Sequence, residues 1–263
     1  MVHNDPARFK VLAAGRRWGK TRLGVHECLD YAAQGKRAWW VAPNYKMSEV
    51  GWRPLRRMAS KIGAEIRKSD RQVILPTGGD VTVRSADNPD TLRGEGLDFV
   101  VMDECAFISE DAWTEALRPA LSDRPGKAIF ISTPKGRNWF WRLWMRGQDA
   151  ENNPGWMSWR YPTSDNPYIP QEDIDEAQRT LPEMIFRQEY LASFETLTGR
   201  VYPDFGIDNI DDTIGDTGGD ILLGCDFNVR VMAGVLGSRV GDTLHIWDEV
   251  ALKQSNTDEM CMK

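Results

Sequence analysis

The chain has 263 residues, 41% of them hydrophobic and 27% charged, with a formal net charge of −6. That is an ordinary globular composition, long enough for one large domain or one domain and part of another. Residues 1–100 hold 18 Lys and Arg against 11 Asp and Glu, while the remainder holds 15 against 28, so a basic first part suited to phosphate or nucleic acid precedes an acidic one. No run of about 18 apolar residues is present to suggest a membrane partner, and no signal-peptide pattern opens the chain. Cys28, Cys105, Cys225 and Cys261 are widely spaced without a C-x-x-C pair, which argues for reduced thiols and against a zinc site or disulfide framework.

Phe9 to Ala13 reads as a buried first strand. It runs into Ala14-Gly15-Arg16-Arg17-Trp18-Gly19-Lys20-Thr21 and then a helical pattern to about Ala33. Strand, glycine loop, Lys-Thr and helix form the context of a P-loop. Loop N–H groups around Gly15, Arg16, Arg17 and Gly19 surround phosphate oxygens. Lys20 reaches the β- and γ-phosphates, and the Thr21 hydroxyl ligates Mg²⁺. Ala14 stands where the motif usually has its first glycine.

Ala38 to Ala42 reads as a second strand, ended by Pro43-Asn44. Met47 to Ile62 has helical spacing, with Val50, Leu55, Met58, Ala59 and Ile62 available for a core face. Arg53, Arg56, Arg57 and Lys61 lie on the other face. That basic face reads as solvated, with contact to DNA or a neighbouring subunit as the alternative. Val73–Leu75 and Val81–Val83 read as a hairpin with a longer loop.

Phe99 to Met102 is an apolar strand ending in Asp103-Glu104. In the same chain as Lys20-Thr21, Asp103 is the residue to hold Mg²⁺, and Glu104 the one to orient and deprotonate the attacking water. Glu110 to Leu121 reads as an amphipathic helix. The strand Ala128–Ile131 then ends in Ser132-Thr133-Pro134. Those hydroxyls either sit close to a γ-phosphate at the edge where α/β ligands bind or form a plain turn before proline. Trp139 to Trp144 is aromatic and basic, suited to helical core packing or to stacking on bases.

Pro162 to Pro167 reads as a loop, followed by helical patterns at Glu172–Arg179 and Pro182–Phe194. Residues 204–220 hold six aspartates and four glycines, the best candidate for a domain boundary. A β-meander follows, with strands at 221–228, 231–237 and 243–250. The chain stops at Lys263, about one turn into an expected helix, so it reads as a fragment.

Taken in order, these motifs resemble the large terminase subunit of tailed bacteriophages, the ATP-driven motor that packages DNA into capsids. The resemblance rests on Gly15 to Thr21, Leu92-Arg93-Gly94 before Met102-Asp103-Glu104, and Ser132 to Arg137. Leu181-Pro182-Glu183, Arg187-Gln188-Glu189-Tyr190 and Gly224 to Asn228 also carry it. It implies an α/β fold: a RecA-like P-loop NTPase with a parallel sheet and helices on both faces over 1–170. A helical lid or linker over 171–218 and the start of an RNase H-like nuclease over 219–263 complete the expected division. By the same resemblance Arg16 senses the γ-phosphate, and Ser132-Thr133 couples the phosphate state to DNA movement. Asp226 is the first metal ligand of a Mg²⁺- or Mn²⁺-dependent nuclease. Glu249 is only a stand-in for a second carboxylate expected beyond Lys263, and residues 1–8 lack the glutamine that contacts adenine in the family.

The implied cofactors are ATP and Mg²⁺. The implied partners are double-stranded DNA, a portal on a procapsid, a small terminase subunit and further copies of the chain in a ring. The implied location is the cytoplasm of the infected bacterial host. A helicase-like P-loop ATPase and a nucleotide-dependent docking protein are the alternative readings.

Overall fold

A computed structural model describes residues 2–195, 213–215, 219–226 and 231–253. The chain divides into two compact units, Met1–Leu197 and Thr198–Lys263.

The first unit is built on an eight-stranded sheet. Its strands are β1 (Phe9–Ala14), β2 (Arg37–Ala42), β3 (Glu65–Arg67), β4 (Gln72–Ile74), β5 (Asp80–Ser85), β6 (Phe99–Asp103), β7 (Lys127–Ser132) and β8 (Trp156–Tyr161). They lie in the order β3-β4-β5-β2-β6-β7-β1-β8. From β5 to β8 every neighbouring pair is parallel, while β3-β4-β5 is antiparallel. Continuous apolar runs make the central strands buried along their length, as a sheet covered on both faces requires. Two apolar layers result. One holds Val11, Trp39, Val100, Met102 and Phe130 with Trp139 and Phe140, and the other holds Leu12, Trp40, Val101 and Ile131 with Val25, Leu29, Trp52 and Leu55.

The helices are α1 (Lys20–Ala33), α2 (Tyr45–Ala59), α3 (Arg118–Ala120), α4 (Trp139–Gln148), α5 (Gln171–Thr180) and α6 (Glu183–Tyr190). The expected hairpin is present as β4 and β5. Four elements depart from the sequence reading, the first being edge strand β3, for which it has no counterpart. The buried positions of α2 are Ser48, Gly51, Trp52, Leu55 and Ala59, whereas Val50 and Ile62 are exposed. The Asn44 side chain accepts the Met47 N–H at 2.9 Å, a side-chain cap that starts the helix at Tyr45 rather than Met47. The expected helix over 110–121 is instead a π-helical stretch, Ala112–Leu117, leading into α3. Pro119 cannot donate to the Glu115 carbonyl and its ring crowds the preceding turn, which the wider helix accommodates. The apolar face survives, with Ala112, Trp113, Ala116 and Leu117 buried. Edge strand β8 follows α4, and the sequence reading has no counterpart for it.

The aromatic segment resolves as core. Trp139, Phe140 and Leu143 are buried, and Trp139 Nε1 donates to the Ile108 carbonyl at 2.7 Å. This satisfies the indole N–H that burial would otherwise strand.

The second unit contains β9 (Ile221–Asp226), β10 (Val231–Val240) and β11 (Thr243–Lys253) in an antiparallel sheet with β10 central. The expected boundary at 204–220 lies mostly outside the described residues.

Candidate functional site

Strand order places the site. Strand β7 lies between β1, which carries the P-loop, and β6, which carries the acid pair. Ala13 pairs with Ser132 and Asp103 with Ile131, so three parallel strands end flush. Loop 15–19, Asp103-Glu104 and Ser132-Thr133 therefore share one sheet edge, the carboxyl end where open α/β sheets bind ligands. An open cleft of about 640 Å³ lies there, with Arg16, Lys20, Thr21, Glu104, Thr133 and Glu189 among its lining residues.

The loop conformation follows from its glycines. Gly19 sits at φ 115° and caps α1 without a side chain, leaving the N–H groups of the first turn available to an anion. Gly15 is fixed by crowding: a Cβ there would lie 2.4 Å from Thr163 Oγ1 and 2.6 Å from the Tyr190 carbonyl oxygen. The loop is tied to distant chain. Gly15 N–H donates to the Tyr161 carbonyl at 2.9 Å and Arg16 N–H to the Glu189 carbonyl at 2.7 Å. Thr163 Oγ1 donates to the Arg16 carbonyl at 2.8 Å and Asn166 Nδ2 to the Arg17 carbonyl at 2.5 Å. Trp18 stacks on Tyr161 with ring centres 5.0 Å apart.

Lys20 is buried, and its ammonium donates to the carbonyls of Ala14 (2.8 Å) and Gly15 (3.0 Å) and to Thr133 Oγ1 (3.0 Å). Burial pushes its pKa down, opposed by the Glu104 and Asp103 carboxylates. Asp103 is 3% exposed. Burial, then the neighbouring Glu104 carboxylate, push its pKa up to about 7, with Lys20 pulling the other way. Glu104 sits at φ 48°, ψ 45°, a left-handed conformation unusual for a non-glycine residue and concentrated at functional sites. Ser132 Oγ accepts the Ala106 N–H at 3.2 Å and stands 3.4 Å from Glu104 Oε2, so the strand-end serine braces the strained turn. Asp103 and Thr21 offer hard oxygen donors, and Asp103 carries little compensating charge beyond Lys20. That donor set fits Mg²⁺.

Arg16 reaches the cleft with its guanidinium paired through Nε to Glu189 Oε2, and this contact raises its pKa. Glu189, Thr163 and Asn166 are the site residues that sequence reasoning missed. The only signals were the quoted Arg187 to Tyr190 motif and an Asn/Pro-rich loop, neither of which assigns a role. Asp226 ends β9 in the second unit and is exposed. Asp226 and Ala251 both pair with Ala233, so strand alternation puts Glu249 on the Asp226 face and Asp248 on the other. Among the described residues no group of three or more His, Cys, Asp or Glu could hold a metal ion.

A glycine loop, a buried lysine and an acid pair at flush strand ends, with one strand inserted between them, define a P-loop domain of the RecA-like class. The sequence model of the family described as terminase large subunit, T4likevirus-type, N-terminal, matches residues 11–207, and the chain belongs to that family. It is 32% identical over 274 residues to the large terminase subunit of Escherichia phage T5, covering 96% of this chain and 62% of that protein. It is 30% identical over 237 residues to that of Thermus virus P23-45, covering 76% and 49%. The chain thus spans about half to three-fifths of these relatives. The solved ATPase domain of the Thermus phage P74-26 large terminase superposes with a TM-score of 0.64 at 28% identity, covering 74% of this chain and 91% of that one. A large terminase from a thermophilic bacteriophage, solved in complex with ADP, shares the fold, with a TM-score of 0.65 at 17% identity and coverage of 98% and 69%.

Proposed function

We propose that this chain is the ATPase part of a phage packaging motor, hydrolysing Mg·ATP to move double-stranded viral DNA into a procapsid. The observation that carries this is the convergence of Lys20, Thr21, Glu104 and Thr133 on one cleft, with Asp103 buried at the adjoining strand end, from three parallel strands whose ends are in register. Membership of the terminase large-subunit family supports the DNA-packaging role.

In this reading the N–H groups of Arg17, Gly19 and the start of α1 bind the phosphates; against the sequence expectation, those of Gly15 and Arg16, like that of Trp18, are already taken by carbonyls. Lys20 exchanges its carbonyl partners for β- and γ-phosphate oxygens. Thr21 and Asp103 hold the Mg²⁺, which offsets charge on the phosphates. Glu104 orients a water and takes its proton as the water oxygen bonds to the γ-phosphorus and the bond to ADP breaks. The Arg16 guanidinium neutralises charge that develops on the transferring phosphoryl group. Thr133 bonds to Lys20 while Ser132 is 3.4 Å from Glu104, and this supports a coupling role for that strand end.

The second unit is proposed to begin an RNase H-like nuclease, with Asp226 its first Mg²⁺ or Mn²⁺ ligand. The remaining proposed context is a homo-oligomeric ring on the portal, a small terminase subunit as partner, and the cytoplasm of the infected host. The test is ATP turnover with and without duplex DNA. Glu104→Gln should retain nucleotide and lose hydrolysis, because an amide orients water without accepting its proton. Full turnover in that variant would overturn the assignment.

A further inference from the structure

Arg17 holds the left-handed conformation, φ 63°, inside the phosphate loop. Glycine, and to a lesser degree Asn and Asp, are the residues that adopt it readily, so at Arg17 the surroundings impose it. Both peptides that flank Arg17 are pinned by the segment after β8. Thr163 Oγ1 donates to the Arg16 carbonyl at 2.8 Å and fixes the peptide on the φ side. Asn166 Nδ2 donates to the Arg17 carbonyl at 2.5 Å and fixes the peptide on the ψ side. The two donors are themselves held. Thr163 is buried, its carbonyl accepts the Asn166 N–H at 3.0 Å, and Asn166 Oδ1 accepts the Tyr168 N–H at 3.0 Å. In a planar trans peptide the C=O and N–H point opposite ways. The Arg16 carbonyl faces Thr163, so the Arg17 N–H faces away from it, and Arg17 lines the cleft while Thr163 does not. Among the described residues no carbonyl takes that N–H.

From this geometry we infer that Thr163, assisted by Asn166, is a positioning residue that turns the Arg17 N–H, and not the Arg16 carbonyl, toward a bound diphosphate. This rests on the P-loop reading of the cleft. With the peptide turned over, a carbonyl dipole would face the phosphates where a donor had stood, and attraction would become repulsion. The backbone donors of a P-loop cradle the α- and β-phosphates, which ADP and ATP share. Thr163 therefore acts on binding and not on the chemical step. A hydrogen bond to a charged group sets the upper scale. Loss of one pin with the other in place should weaken binding about five- to thirtyfold.

The experiment measures ADP and ATP-γ-S affinity, ATP turnover and Tm for the 263-residue chain as wild type, Thr163→Ala, Thr163→Ser and Asn166→Ala. Thr163→Ala should weaken both nucleotides by the same factor, about five- to thirtyfold, and raise KM for ATP with kcat held within about twofold. Thr163→Ser keeps the hydroxyl and should bind as wild type does. Asn166→Ala, which leaves Thr163 in place, should weaken both by about two- to fivefold, and it carries the test if Thr163→Ala fails to fold. In amide NMR spectra the Arg17 N–H should shift when ADP is added to wild type or Thr163→Ser, and stay in place in Thr163→Ala. Unchanged affinity in Thr163→Ala or, where that variant is unfolded, in Asn166→Ala would overturn the proposal. A fall in kcat matching the rise in KM would also overturn it, marking a displaced Lys20. So would failure of Thr163→Ser to restore binding, the sign of packing and not of a hydrogen bond. If wild type bound neither nucleotide, the P-loop reading would fail first and this proposal with it. Loss of binding in Lys20→Ala beside unchanged binding in Thr163→Ala would sink this proposal and leave that reading intact.

Discussion

Lys20 and Asp103 are two charges the fold keeps out of water for the sake of a ligand. Replacing Lys20 with alanine removes the one ammonium in contact with the Ala14 and Gly15 carbonyls and Thr133. Hydrolysis should fall by about 10²–10³-fold or more, as when one preorganised donor is lost elsewhere, and nucleotide binding should fall with it in a direct titration. For Asp103 the expectation concerns stability. Its folded pKa of about 7 lies above the ordinary aspartate value of 3.8, so between those values the folded state holds a proton the unfolded state has released. Stability therefore declines as pH rises through that window. Asp103→Asn removes the titration. Without nucleotide or Mg²⁺ its Tm should match wild type near pH 4 and exceed it by several degrees near pH 8. Equal melting curves across the range would refute it. These residues were legible because each motif is contiguous and has one chemistry. Glu189, Thr163 and Asn166 were not, since their roles exist only where distant chain meets the loop.

At the scale of elements, the P-loop is as much a product of β8 and α6 as of its own glycines. Gly15 is the pressure point. A methyl there meets Thr163 Oγ1 and the Tyr190 carbonyl well inside contact distance, and backbone atoms yield little. Gly15→Ala should cost about 1–3 kcal/mol, the range for overpacking a close-packed site, and should weaken nucleotide binding through the displaced loop. Urea melts and an ATP-γ-S titration check both. The strands β1, β2, β6 and β7 were legible because unbroken apolar runs have one use, a doubly covered parallel sheet. Strand β8 was hidden because its residues mix aromatic and polar types at a sheet edge. The π-helical stretch was hidden because apolar periodicity does not show how a helix accommodates Pro119. In α2, Trp52 rather than Val50 falls on the stripe of Ser48, Leu55 and Ala59 at helical spacing, so Trp52 takes the core.

For the whole molecule, the proposed cutting activity depends on how many carboxylates meet. Glu249 shares a face with Asp226, but β10 stands between their strands and Glu249 lies two residues along from the pairing row. Their separation is then about 10 Å or more from strand spacing, too wide for one ion. A two-metal site needs several converging oxygens. The 263-residue chain should therefore hydrolyse ATP yet leave supercoiled plasmid intact in Mg²⁺ or Mn²⁺. Nicking that Asp226→Ala abolishes would show the site to be complete within it.

The ties between Arg16 and Glu189, and between Arg16 and Thr163, span 173 and 147 residues, and they bear on how the protein is born. The phosphate loop leaves the ribosome well before Thr163 and Glu189, the chain that shapes it. At 5–20 residues per second the loop waits roughly 10 to 35 s for its final support. A nascent chain halted before Glu189 should gain no protease resistance from added ATP-γ-S, and one halted well past it should. Nucleotide would thus act as a late inspector of synthesis, unable to rescue a chain that stalls early.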